Sequence, residues 1–98
     1  MTLHILNKSP HASHCLQECL QIAQPTDALL LIEDAVYAAI AAAPYARQLQ
    51  DSGLSVYALA ADIQARGLAS MDTGTVQIIN DHQFVDLTIE YSPIQSWY

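Results

Sequence analysis

Short apolar runs of strand length alternate along the chain with longer segments whose apolar residues recur every three to four positions. The first run covers residues 2–7, with His4 inside it. The second, 28–32, holds no polar residue, the pattern of a strand covered on both faces. Runs at 54–59 and 75–80 complete four predicted strands. Between the first two, Ala12, Cys15, Leu16, Cys19, Leu20 and Ala23 form one stripe at helical spacing. This helix is predicted over 9–24, opened by Ser9-Pro10 and stopped by Pro25. An alanine-rich helix is predicted at 35–42, followed by a turn from Pro44 that carries Tyr45 and Leu49 and ends at Gly53. Asp62 caps a short helix, pairs with Arg66 four residues on, and the helix closes at Gly67-Leu68.

Residues 82–91 fit two periods. Val85, Leu87, Ile89 and Tyr91 alternate with Asp86, Thr88 and Glu90, as in a strand, whereas Phe84, Leu87 and Tyr91 also match a helix capped by Asp81. A helix completes a fourth βα unit and is the favoured reading. Pro93 then breaks it, leaving an apolar tail whose Trp97 and Tyr98 should pack on the chain's own sheet or into a neighbouring subunit. Strands alternating with helices imply a mostly parallel four-stranded sheet with right-handed crossovers. The predicted fold is a small three-layer α/β sandwich, one domain over residues 1–98.

Composition sharpens this picture. Charged residues make up 13% of the 98, against about 25% in an ordinary soluble domain. Hydrophobic residues make up 52%, more than so small a domain can bury, so part of this material is expected outside as a contiguous patch facing a protein partner. The net charge is −7, with only Lys8, Arg47 and Arg66 positive. Three scattered cations do not neutralise a phosphate backbone, so no direct nucleic-acid binding is expected. No basic-then-apolar signal opens the chain and no apolar run nears the roughly 20 residues of a membrane span. No membrane association and a cytoplasmic location are the expectations.

Candidate chemistry is sparse. Asn7-Lys8-Ser9-Pro10 has no glycine, which removes the dinucleotide and P-loop motifs, and no cofactor is expected. Cys15 and Cys19 lie four apart on one helix face, too far for a disulfide, and read as two thiols. His11, His14, Cys15 and Cys19 cluster but match no standard zinc spacing, so no metal is expected. Nothing near Cys19 lowers its thiol pKa, and buried core cysteines are favoured for both. His4 reads as a hydrogen-bonded core histidine. Glu33 and Asp34 end the apolar run at the carboxyl edge of a strand, where α/β sheets place functional loops, with Tyr37 just beyond. Glu33, Asp34 and Tyr37 are the candidate functional edge; for Asp34 the alternative is a helix cap.

Several segments taken in order carry a family resemblance across essentially the whole chain. They are Leu3-His4 leading into Asn7-Lys8-Ser9-Pro10, Cys19-Leu20, Leu30-Leu31-Ile32-Glu33-Asp34 with Val36-Tyr37-Ala38-Ala39, Ala65-Arg66-Gly67-Leu68, Phe84-Val85-Asp86-Leu87-Thr88, and Trp97. Together they resemble the TusB/DsrH family. The resemblance implies a DsrE-like domain of flavodoxin-like, Rossmann-like topology. It implies a subunit of a cytoplasmic sulfur-relay complex, a heterohexamer with TusC/DsrF-like and TusD/DsrE-like partners that hands sulfur to further carrier proteins. In the TusB branch the complex supports 2-thiolation of the tRNA wobble uridine. The main sulfur-carrying cysteine belongs to the TusD or DsrE subunit, which implies a structural chain, not catalytic by itself. The alternative is a DsrH-type subunit of a DsrEFH-like complex in sulfur oxidation. Cys19 matches a cysteine of that branch and would then carry a persulfide. Cys15 has no counterpart, and Ala35 stands where glycine is common.

Overall fold

Residues 28–31 form the middle of the sheet for the reason their composition gives. With a layer on either side, no position in this strand can be polar, and Ala28, Leu29, Leu30 and Leu31 are all fully buried. The computed structural model describes residues 1–42 and 44–97. Its strands are β1 (Leu3–Leu6), β2 (Ala28–Leu31), β3 (Ser55–Leu59), β4 (Gln77–Ile79) and β5 (Ile94–Trp97). All neighbours run parallel, in the order β4-β3-β2-β1-β5. The α/β class and parallel sheet are as expected, with five strands in place of four. The fifth is the tail, which lies beside β1 with Leu3 opposite Ile94 and Leu6 opposite Trp97. Gln95 and Ser96 interrupt its apolar character because it is an edge strand exposed along most of its length. The expectation for Tyr98 falls outside the described residues.

Helices α1 (Cys15–Ile22), α2 (Ala46–Asp51) and α3 (Ala60–Ala65), with a 3₁₀ segment (Glu33–Ala39), connect β1 through β4. Each of those steps moves the same way across the sheet, so right-handed crossovers put all these connections on one face. There Leu6, Leu29, Leu31, Val56 and Ala58 meet Leu16, Cys19, Val36, Leu49 and Ile63. The last step reverses direction, from β4 at one edge to β5 at the other. The same handedness therefore sends α4 (Asp81–Glu90) to the opposite face, where Leu87 and Tyr91 cover Leu3, Ile5, Ala28, Leu30 and Ile79. Alternate residues of β1 and β2 serve the two cores, as the pleat requires.

Several boundaries differ from the sequence reading. The first helix starts at Cys15, not 9: Ser9 and Pro10 enter a turn in which the Ser9 carbonyl accepts from Ala12 N at 3.1 Å, and Ser13 Oγ accepts from Cys15 N at 3.2 Å. The alanine-rich stretch winds as a 3₁₀ helix, with Ala35, Val36, Ala38 and Ala39 buried against the sheet. Residues 81–90 are helical, but the cap is Asn80 rather than Asp81. Asn80 Oδ1 accepts from Gln83 N at 2.8 Å while Gln83 Oε1 accepts from Asn80 N at 2.9 Å. Nor does Asp62 cap α3, whose preceding residue is Leu59. The predicted stop at Gly67 holds: φ is +69°, Leu68 N donates to Ile63 O and Gly67 N to Gln64 O, the pair of bonds that closes a helix over a left-handed glycine.

The apolar excess surfaces in separate places. Val85 and Ile89 lie four apart on α4, Ile94 follows on β5, Ile22 ends α1, and Met71 and Ile78 share a groove at the β4 edge. Among the described residues, no helix is long and apolar enough to cross a membrane.

Candidate functional site

At the carboxyl edge of β2 the chain turns sharply into the 3₁₀ segment. Ile32 is extended, and Glu33 then takes φ +50°. A left-handed glutamate crowds its own Cβ against the backbone, at a cost of about 1 kcal/mol. Asp62 holds the turn across the gap to α3: its Oδ2 accepts from Glu33 N at 2.8 Å. Arg66, one turn along α3, reaches the same edge. Its Nε and Nη2 lie 3.0 and 2.9 Å from Asp34 Oδ1, and Nη1 donates to the Asp62 carbonyl at 3.3 Å. The Arg66–Asp62 carboxylate approach is looser, at 3.7 Å. Asp34 makes no side-chain cap hydrogen bond and faces Arg66 instead.

Of the predicted edge, then, Glu33 and Asp34 come together with Asp62 and Arg66, while Tyr37 is half-buried against the core on the helical face. The sequence reading paired Asp62 with Arg66 inside one helix. The stronger contacts instead tie α3 to the 3₁₀ segment, 29 and 32 positions away in sequence. Glu33 is exposed, and the Asp34–Arg66 pair is partly so, which places it among ion pairs of small energetic weight. The edge is a structural brace presenting carboxylates.

Cys19 sits elsewhere. It projects from α1 into the core between Leu16 and the sheet and is fully buried. Burial pushes its thiol up to about 12, with the nearby charge of Asp27 and then Cys15 adding to the effect. At neutral pH it is a thiol, not the thiolate that attacks sulfur or binds metal. Cys15, one turn earlier, is half-buried, and both cysteines are free. His11 lies in the turn before α1, edge-on to the Tyr45 ring at 5.4 Å. Among the described residues, no group of three or more His, Cys, Asp or Glu side chains is placed to hold a metal ion.

The sequence reads His4 as a hydrogen-bonded core histidine without naming its partners, and the structure places it so. The structure gives it two partners. Its Nε2 lies 2.9 Å from Asp27 Oδ2, and its Nδ1 accepts from Trp97 Nε1 at 3.1 Å. Asp27 also accepts from the backbone N–H groups of Thr2, at 2.8 Å, and Gln24, at 3.0 Å. Burial alone would raise the Asp27 carboxyl, but these two amides and His4 outweigh it and hold it at about 2.

With the geometry in hand, comparison with known proteins is decisive. A family profile described as "DsrH like protein" matches residues 8–94. The chain belongs to the DsrH-like family. Among its relatives, "Protein TusB" of Pectobacterium atrosepticum is 35% identical over 95 residues, covering 97% of this chain and 99% of that protein. "Protein TusB" of Salmonella arizonae is 34% identical, covering 95% and 100%. The crystal structure of the ychN protein from E. coli superposes with a TM-score of 0.84 over 97% of both chains. At 17% identity that likeness shows the fold alone.

Proposed function

We propose that this DsrH-like chain is a structural subunit of a sulfur-relay complex, assembled with TusC-like and TusD-like partners and supporting 2-thiolation of the tRNA wobble uridine in the cytoplasm. The observation that carries the reading is the near end-to-end match, at about a third identity, to proteins named TusB. Its chemistry is consistent with that role. The thiol at the position of interest is buried and protonated, and at the strand edge Asp34 is paired with Arg66. Exposed Val85, Ile89 and Ile94 supply apolar surface that partner chains would cover. The partners, not this chain, would carry the sulfur and meet the tRNA, as so few cations require.

Co-expression with the TusC-like and TusD-like chains of the same genome tests this. The expected outcome is co-purification in equal amounts as a hexamer, and loss of thiolated tRNA when this chain is deleted. A chain that stays monomeric and fails to co-purify overturns the reading.

A further inference from the structure

The contacts around His4 fix its chemistry. An indole N–H can only donate, so the Nδ1 that receives Trp97 carries no proton, and Nε2 must bear the hydrogen given to Asp27. The ring is therefore held as one neutral tautomer between a permanent donor and a permanent acceptor. It is also the side-chain tie between β5 and the interior. Ile94, Gln95 and Ser96 are exposed on this edge strand, while Trp97 is half-buried against the core. Beside the tie runs a groove of about 460 Å³ lined by Ile22, Gln24, Pro93, Gln95, His4 and Trp97, among others. Solvent protons have a path to the ring if the indole moves.

We propose that His4 is a proton-operated latch on β5. Neutral imidazole fastens the Trp97 indole. A solvent proton bound at Nδ1 turns the acceptor into a second donor and releases the indole toward the groove. The only bond lost is the hydrogen bond from Trp97 Nε1; the Nε2–H bond to Asp27 persists in both states. Charged and titratable groups around the ring favour this two-state behaviour. Asp27, from the turn before β2, is a carboxylate at 2.9 Å and compensates an imidazolium in place. Cys19 from α1 and Tyr91 at the end of α4, which both feel the charge of Asp27, are held neutral by burial. From β5 come Gln95 and Trp97, neither of them charged. Backbone pairing of β5 with β1 does not depend on the latch, so acid loosens the end of the strand without unfolding the sheet.

Trp97 is the only tryptophan, so a chain carrying ¹⁵N-tryptophan gives one indole N–H resonance, alone or assembled with unlabelled partners. Between pH 8 and pH 5 that resonance is expected to move upfield. Its exchange with water, corrected for intrinsic pH dependence, should quicken by about tenfold, the factor that one lost neutral hydrogen bond carries. In His4→Gln, which still donates to Asp27 but offers no imidazole, the resonance should no longer respond to pH, although the exposed His11, His14 and His82 are all still present. An indole resonance that keeps its shift and protection down to pH 5 in the unmodified chain overturns the proposal. So does an unchanged pH response in His4→Gln.

Discussion

Replacing Cys19 separates a packing role from a sulfur-carrying one. The side chain is fully buried among Leu16, Leu29, Leu31 and Val36, with no polar group of the site to satisfy it. Cys19→Ala removes one heavy atom from that cluster and should cost about 1 kcal/mol. Cys19→Ser keeps the volume but buries a hydroxyl, for about 1–3 kcal/mol. A helical serine can turn its hydroxyl toward the carbonyl one turn back, which puts the cost at the lower end, about 1–2 kcal/mol. For a domain of this size such losses lower the melting temperature by about 5–10 °C. Thermal unfolding followed by circular dichroism measures this directly. Sulfur transfer by the assembled complex, assayed below those temperatures, should be unchanged in both variants. Mass spectrometry of the native complex after exposure to a persulfide donor should find Cys19 unmodified, because the thiol sits at about 12 and is shielded from the donor. A persulfide on Cys19, or a Cys19→Ser complex that assembles with normal stability yet transfers no sulfur, refutes the reasoning.

Other outcomes follow from the same geometry. Asp27 has a depressed folded pKa, so its contribution is present above about pH 4 and is lost as pH falls toward about 2. Urea midpoints should drop by the equivalent of about 1–2 kcal/mol over that window, and Asp27→Asn should remove most of the dependence. At Glu33, held at φ +50°, substitution by glycine should leave stability level or raise it by up to about 1 kcal/mol, whereas valine should cost about 2 kcal/mol; chemical denaturation reads both. Leu87→Ala, on the one helix that covers the second face, should cost about 2–5 kcal/mol, and a loss under 1 kcal/mol would mean that α4 is not docked as described.

What the sequence discloses depends on how local the cause is. The uninterrupted apolar run at 28–31 can only be a strand with a layer on each side, and the glycine stop at Gly67 follows from one residue's freedom of φ. Helix α4 was ambiguous because both periods fit its apolar positions. What decides it is a topological need, the return from β4 at one edge of the sheet to β5 at the other. Strand β5 itself carries almost no pattern. Its order comes from backbone pairing to β1 and from Trp97, a contact that its own four residues do not announce.

The candidate site shows the same division more sharply. Glu33 and Asp34 could be placed at a strand edge from local order alone, but not their restraint: Asp62 and Arg66 arrive from another helix, and the left-handed glutamate becomes tolerable only because Asp62 takes its N–H. His4 is farther still from local reasoning, since its partners lie 23 and 93 positions away. That distance is informative about function. A histidine that joins the first strand, the turn before the second and the last strand is engaged in positioning the end of β5. A cysteine sealed beneath the neighbouring helix is likewise spent on packing. His4, Asp27 and Cys19 are each engaged by contacts inside the fold, which is the arrangement that the proposed role as a subunit among partner chains calls for.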